Sequence, residues 1–362
     1  MTAGRPAAPP LAVRRLRTQG LTHPDATTPE QVVDRLLAVQ AQDPRGFRLA
    51  VRSRSTGLTS QAVDTALSEP RSLVVNWLHR GTLHLVGAGD YWWLHPLTTP
   101  QLATASARRL EQEGVSPQQA ARGAELIMDA VASGPQTRTA LRALLDEHQV
   151  PTQRQALVHV LLATCLRYDL VRGPVVGGEQ AFVSAAQWLG RPPPPLDRDE
   201  ALARLARRYL VGHAPATADD LAYWAGITLG DARRAFAAVA GETTSDDDGQ
   251  TWLTDSADAA ESAGDVVPAP RLLGPFDPVL HGWRSRDPLL RGHVGVVTSN
   301  GVFRPSALVD GGIVATWRLA AGTLTIQPLE PIAQRDRKQL TRDAADVLAY
   351  LGQAERPAEF TD

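Results

Sequence analysis

The chain has 362 residues, 43% of them hydrophobic and 21% charged. That balance supports sizeable cores and two or three domains, and it excludes an intrinsically disordered chain. The formal net charge is −2 and the isoelectric point about 6.5, without the overall basic excess expected of a nucleic-acid binder.

No apolar run reaches the roughly 20 residues of a membrane span. The start, MTAGRPAAPPLAVRRL, lacks the apolar stretch of a secretory signal. The single cysteine, Cys165, rules out a disulfide framework and suggests a reducing compartment. Together these predict a cytoplasmic protein. The charge is unevenly spread. Residues 1–60 carry nine Arg against four acids, whereas 241–265 carry eight acids and no base. The acidic segment thus masks a basic N-terminal part. Lys338 is the one lysine. The preference for Arg fits GC-rich coding bias, though Arg also supplies planar, bidentate phosphate contacts wherever it faces DNA.

Three stretches share one pattern, amphipathic helices followed by a short β-rich end. In the first, PEQVVDRLLAVQ places Val32, Val33, Leu36, Leu37 and Val39 on a helical period. SQAVDTALSEP is a second helix stopped by Pro70, and LVVNWLHRGTLHLV reads as two strands about a turn at Arg80-Gly81. In the second, Thr137 caps TRTALRALLDEH, Pro151 opens the helix PTQRQALVHVLLATCLRYD, and two strands flank a Gly177-Gly178 turn. Pro192 to Pro195 form a stiff linker.

The third stretch begins near Asp197 with three helices, Thr217 and Thr228 capping the second and third, at helix-turn-helix spacing. Beyond the acidic segment come a Pro- and Gly-rich loop and strands with turns at Asn300-Gly301 and Asp310-Gly311-Gly312. The helix RDRKQLTRDAADVLAYLGQA follows. The fold class expected is α+β, mainly α. It comprises three tandem winged helices over 1–98, 99–196 and 197–362, the last including a β-rich part.

Most signatures of enzyme chemistry are silent. The nine histidines do not fall at metal-ligand spacing. No P-loop, dinucleotide loop or nucleophile elbow is present. His79 and His84, on the first wing, suit a structural or phosphate-contact role. Neither a metal nor a cofactor is expected.

What remains is LLAVQAQDPRGFRLAVRSRS. Gln40 and Gln42 would face opposite ways on a helix but share a face on an extended segment. Asp43 precedes Pro44, which disfavours helical geometry there, so the helix should end here and let both amides converge. By spacing alone the simpler reading is that two glutamines decorate a helix end with no role. Arg45, Arg48, Arg52 and Arg54 follow at once.

Over nearly its whole length the chain resembles the AlkZ-type winged-helix DNA glycosylases. The resemblance is carried by VQAQDPRGFRLAVRSR, by NWLHRGTLHLV with DYWWLHPL, and by LLGPFDPVLHGWRSRDPLL. It implies a Gln–apolar–Gln catalytic motif, here Gln40, Ala41 and Gln42. A related branch carries Asp at the second position. Gln42 instead places this chain with the branch found beside pathways for DNA-alkylating natural products. The resemblance also implies a DNA-sized, C-shaped channel and a β-hairpin entering the minor groove, placed here at SALVDGGIVATW with Val309, Asp310, Gly311 and Gly312 at its tip. Arg45, Arg48 and Arg80 are the candidate phosphate contacts. The implied partner is double-stranded DNA carrying alkylated or crosslinked guanine, acted on by a bacterial monomer.

The chemistry of the lesion fits such a motif. A guanine alkylated at N7 is already cationic and leaves neutral, so no strong general acid is required. A Gln amide orients water without taking its proton. Asp43 either adds negative field or caps the turn at Pro44. Two other readings share the repeat pattern: a non-enzymatic winged-helix regulator, which would want a basic recognition helix and a dimer, and a protein that sequesters the alkylating agent.

Overall fold

The computed structural model describes residues 11–167, 170–255, 266–354 and 356–361; residues 256–265, the end of the acidic segment, lie outside them. Helix α1 (Leu11–Thr18) leads to α2 (Pro29–Leu36). Thr28 and Gln31 form a reciprocal capping box at the start of α2, and Pro29 occupies its first turn. The sequence expectation carried this helix on toward Gln40. It ends four residues earlier because Leu37 adopts φ 62° and ψ −46°, a backbone that L-residues rarely hold. Leu37 is fully buried. The chain leaves the turn as strand β1 (Ala38–Gln40), whose ladder with β3 (Thr82–Gly87) replaces further helical bonds.

Helices α3 (Pro44–Arg52) and α4 (Ser60–Ser68) precede β2 (Leu73–Leu78). β2 and β3 form the expected hairpin about Arg80-Gly81, with Gly81 at φ 82°. Five helices follow: α5 (Ala88–Thr98), α6 (Pro100–Gln112), α7 (Pro117–Ala132), α8 (Arg138–Glu147) and α9 (Ala156–Arg167). Thr137 caps α8 through the Ala140 amide at 3.0 Å. Pro151 does not open α9. The Thr152 hydroxyl is committed to Asp146 at 2.5 Å, and the helix begins at Ala156.

The second wing, β4 (Leu170–Val176) and β5 (Glu179–Ser184), pairs onto the first and is followed by the short helix α10 (Ala185–Leu189). The result is one antiparallel sheet in the order β1-β3-β2-β4-β5. Its two faces feed two cores by the alternation that strands impose. Val39, Val75, Trp77 and Leu85 join a core with α7, α8 and α9. Ala38, Val74, Leu78 and Val86 join another with α5 and the helices α11 (Arg198–His213), α12 (Ala218–Ala225) and α13 (Leu229–Ala238). Thr217 and Thr228 cap α12 and α13 as expected, and the antiparallel pair β6 (Thr243–Ser245) and β7 (Thr251–Leu253) follows.

A second sheet, β12-β11-β10-β9-β8, comprises Arg271–Leu273 (β8), Ser306–Val309 (β9), Gly312–Ala320 (β10), Thr323–Pro328 (β11) and Glu359–Phe360 (β12). The C-terminal helix Gln334–Tyr350 packs on it. Two of the four arginines after the glutamines tie this sheet to the first unit. Arg52 ion-pairs with Asp343 and Asp346 of the C-terminal helix. Arg54, 2% exposed, forms a fork to Asp277 at 2.8 and 3.1 Å. A charge this deep needs such a partner, so both are struts of the fold. No helix among the described residues is long and apolar enough to cross a membrane.

Candidate active site

Gln40 ends β1 and lies directly opposite His84 on β3. The next residue, Ala41, donates its amide to Leu83 O at 2.7 Å, and the Leu83 amide donates to Gln42 Oε1 at 3.3 Å. Hydrogen-bonded and non-bonded positions alternate in an antiparallel ladder, so Gln40 and His84 form a non-bonded pair, the kind whose side chains approach most closely.

The two glutamines therefore sit two positions apart on extended chain, and they differ in state. Gln42 is exposed, with its carbonyl taken by the backbone and its amide N–H groups free. Gln40 is 7% exposed, and among the described residues nothing hydrogen-bonds its amide. Neither polar atom of this amide is sealed from solvent, so the amide stands ready to hold a water.

Asp43 takes the capping role. Its carboxylate accepts from the Arg45 and Gly46 amides at 2.8 and 2.9 Å and starts α3. The neighbouring wall is the segment Gly274–Phe276. A Cβ on Gly46 would stand 2.4 Å from Pro275 O, and one on Gly274 would stand 2.7 Å from Leu49 Cβ. Glycine at both positions lets α3 and this segment touch, which brings two of the motif-bearing stretches together.

Behind Gln40 lies a nest of neutral histidines. The His79 and His84 rings meet edge to face at 4.5 Å, and His79 lies 4.4 Å from Trp224. His213 stacks on Tyr209 at 4.6 Å. His281 contacts Phe303 at 3.9 Å. Burial pushes His84 and His213 down to about 3, and His79 and His281 well below the usual imidazole range. His281 is lowered further by the positive charges of Arg80 and Arg286, which sets it beside them. His79 and His84, expected to be structural or phosphate-contacting, are both buried.

The expected DNA contacts fall into different settings. Arg45 is exposed, and among the described residues its guanidinium has no partner. Arg48 is tied to Asp64 and to Pro44 O. Arg80 is exposed, lies over the Tyr223 ring at 4.2 Å and donates to Tyr223 O at 2.6 Å. Arg286 reaches the Tyr223 hydroxyl at 2.6 Å. Val309, Asp310, Gly311 and Gly312 do form a two-residue β-turn, with Asp310 at φ 46° and Gly311 at φ 77°. This tip is packed down: Val309 is buried, Arg291 grips Asp310 O, and Gly311 lies against Val13. The next hairpin, β10–β11, is the one with an exposed tip at Ala320 and Ala321.

His281, Tyr223 and Arg286 escaped the sequence reading. The stretch LLGPFDPVLHGWRSRDPLL was singled out as a whole, but its approach to β1 depends on the Arg54–Asp277 fork, which no local pattern reports. No group of three or more His, Cys, Asp or Glu able to hold a metal ion occurs among the described residues.

Residues 33–350 match the sequence model of the AlkZ-like DNA glycosylases. The chain belongs to that family. Among curated proteins none matches the chain in sequence. The solved structure of the Streptomyces sahachiroi DNA glycosylase AlkZ superposes with a TM-score of 0.79 at 24% identity, covering 97% of this chain and 98% of that one. At that identity the likeness is one of fold. In this AlkZ-like chain, all three stretches that carried the resemblance meet at the end of β1. The first supplies Gln40 and Gln42, the second His79, Arg80 and His84, and the third the Pro275 wall and His281.

Proposed function

We propose that this AlkZ-like protein is a monofunctional DNA glycosylase that releases bulky N7-alkylguanines and unhooks guanine-linked interstrand crosslinks, protecting its producer from a DNA-alkylating natural product. The observation that carries the reading is the pair Gln40 and Gln42 at the end of β1. These are neutral amides where glycosidases of other families place carboxylic acids, and the one adjacent carboxylate, Asp43, is occupied as a helix cap.

In the proposed step the C1′–N9 bond breaks and its electron pair neutralises the cationic base. Water oxygen bonds C1′ on the face left open, and one proton passes to solvent. No acid is needed for departure, so the protein contributes position and field. The unpartnered Gln40 amide offers a carbonyl to orient the water. Gln42, its carbonyl fixed by Leu83, presents N–H donors. The one lysine, Lys338, is exposed on the C-terminal helix, so no lysine stands in this site for strand cleavage through a Schiff base.

A crosslinked base cannot swing fully out of the duplex, so lesion and enzyme must meet in the groove. Arg45 is free for a phosphate. The test is incubation with duplexes carrying N7-guanine monoadducts or a crosslink, with chelator present. The expected products are free N7-alkylguanine and an abasic site, nicked only after heat or alkali. Sequence-selective binding of undamaged DNA without base release would instead identify a regulator, and retention of intact agent a sequestering protein.

A further inference from the structure

His84 stands directly across the ladder from Gln40 on the same face of the sheet. Its Nδ1 is 2.9 Å from Thr82 O. A carbonyl only accepts, so Nδ1 carries the proton and Nε2 is a bare acceptor. Among the described residues Nε2 has no donor, and the ring is 7% exposed. The Gln40 carbonyl is likewise unused. Two acceptors without a donor among the described residues, neither sealed from solvent, thus flank one another on adjacent strands, at the position where opposed side chains come closest.

We propose that His84 is a third catalytic residue of the glycosylase, its Nε2 and the Gln40 carbonyl together holding the attacking water. The proposal rests on the glycosylase reading. A water that donates one O–H to each acceptor must direct its lone pairs away from both, toward an incoming C1′. One carbonyl alone would leave that water free to swing about a single bond, whereas two acceptors fix its orientation. Burial keeps His84 neutral down to about 3, so Nε2 remains unprotonated at neutral pH and the proton from water leaves to solvent. The Thr82 carbonyl sets the tautomer, as a carbonyl partner commonly does for an imidazole. Gln42 cannot substitute, because Leu83 holds its carbonyl.

The test uses the full chain and a duplex bearing one nitrogen-mustard N7-guanine monoadduct. His84→Phe keeps a flat ring and removes the acceptor; His84→Gln restores an acceptor near the place of Nε2. The expected result is a single-turnover rate about tenfold to a hundredfold lower for His84→Phe, with DNA affinity and melting temperature unchanged, and recovery of most of that loss in His84→Gln. In a Gln40→Ala background, His84→Phe should add little further loss. A His84→Phe rate within about threefold of wild type, or equal losses in both variants, would overturn the proposal. Nitrogen NMR of the wild-type histidines gives a readout that needs no activity. Nδ1 protonated and Nε2 bare supports the assignment, and a protonated Nε2 refutes it. If wild type releases no base, the glycosylase reading and this proposal fall together. If Gln42→Ala is slow but His84→Phe is not, only the role of His84 falls.

Discussion

The amide of Leu83 donates to Oε1 of Gln42 at 3.3 Å, so one of the two proposed catalytic amides is fixed by the strand that carries its neighbour's partner. A side-chain carbonyl here continues the β1–β3 ladder past the last backbone pair. It leaves the Gln42 N–H groups as the end that would meet DNA in the proposed reaction.

Replacing Gln42 by Ala removes both the anchor and those donors. Loss of one preorganised donor typically lowers kcat by about 10²–10³. We expect single-turnover excision to slow by that factor while duplex affinity changes less than about threefold. Equal losses in rate and affinity would make Gln42 a DNA contact only.

Gln40 should show the opposite balance between stability and activity. Its amide has no partner among the described residues and is open to solvent, so Gln40→Met, similar in volume, should leave the stability within about 1 kcal/mol of the wild type. Excision should fall sharply. Chemical denaturation beside a rate measurement checks this, and clear destabilisation by Gln40→Met would mean that the amide supports the fold.

Arg45 and Arg48, three residues apart, should behave differently. Arg45 is exposed and has no partner among the described residues, whereas Arg48 is locked to Asp64. Arg45→Ala should weaken DNA binding and reduce the slope of log affinity against log salt by about 1, without altering the melting temperature. Arg48→Ala should lower the melting temperature and leave that slope nearly unchanged. Exchange of these two results would reverse the assignment.

The buried histidines should make the fold sensitive to acid. His84 and His213 sit at about 3 in the folded protein and His95 at about 4, all lowered by burial from 6.5. Between those values the unfolded chain binds protons that the folded chain refuses. Stability is therefore complete above about pH 6.5 and falls as pH drops toward 3, by at most ~1.4 kcal/mol per pH unit for each histidine. Melting temperature should decline steadily below pH 6.5. His213→Phe, which retains a ring against Tyr209, should flatten that decline. A flat profile from pH 7 to 5 in wild type would contradict the burial of these rings.

Gly311 tests the hairpin. With φ 77° and a Cβ position 3.1 Å from Val13, Gly311→Ala should cost on the order of 1 kcal/mol in stability. Duplex affinity should change little, because this tip is packed against α1. A large affinity loss without destabilisation would return the tip to the DNA interface.

Local pattern was enough for much of this protein. The β2–β3 hairpin, the caps at Thr137, Thr217 and Thr228, and the turns at Gly177-Gly178 and Asp310-Gly311 are all settled by neighbours within a few residues. The Asp43-Pro44 step likewise marks a break in helical geometry before α3, although it does not set where α2 stops. Tertiary structure decided what depends on distant partners. It ended α2 at Leu36, because pairing with β3 outweighs another helical turn. It sorted four neighbouring arginines into two buried struts, one clamped residue and one without a partner among the described residues, since only Asp277, Asp343 and Asp64 distinguish them. It joined both wings in one sheet and set His84 opposite Gln40, because strand register is fixed by hydrogen bonds between segments more than 40 residues apart.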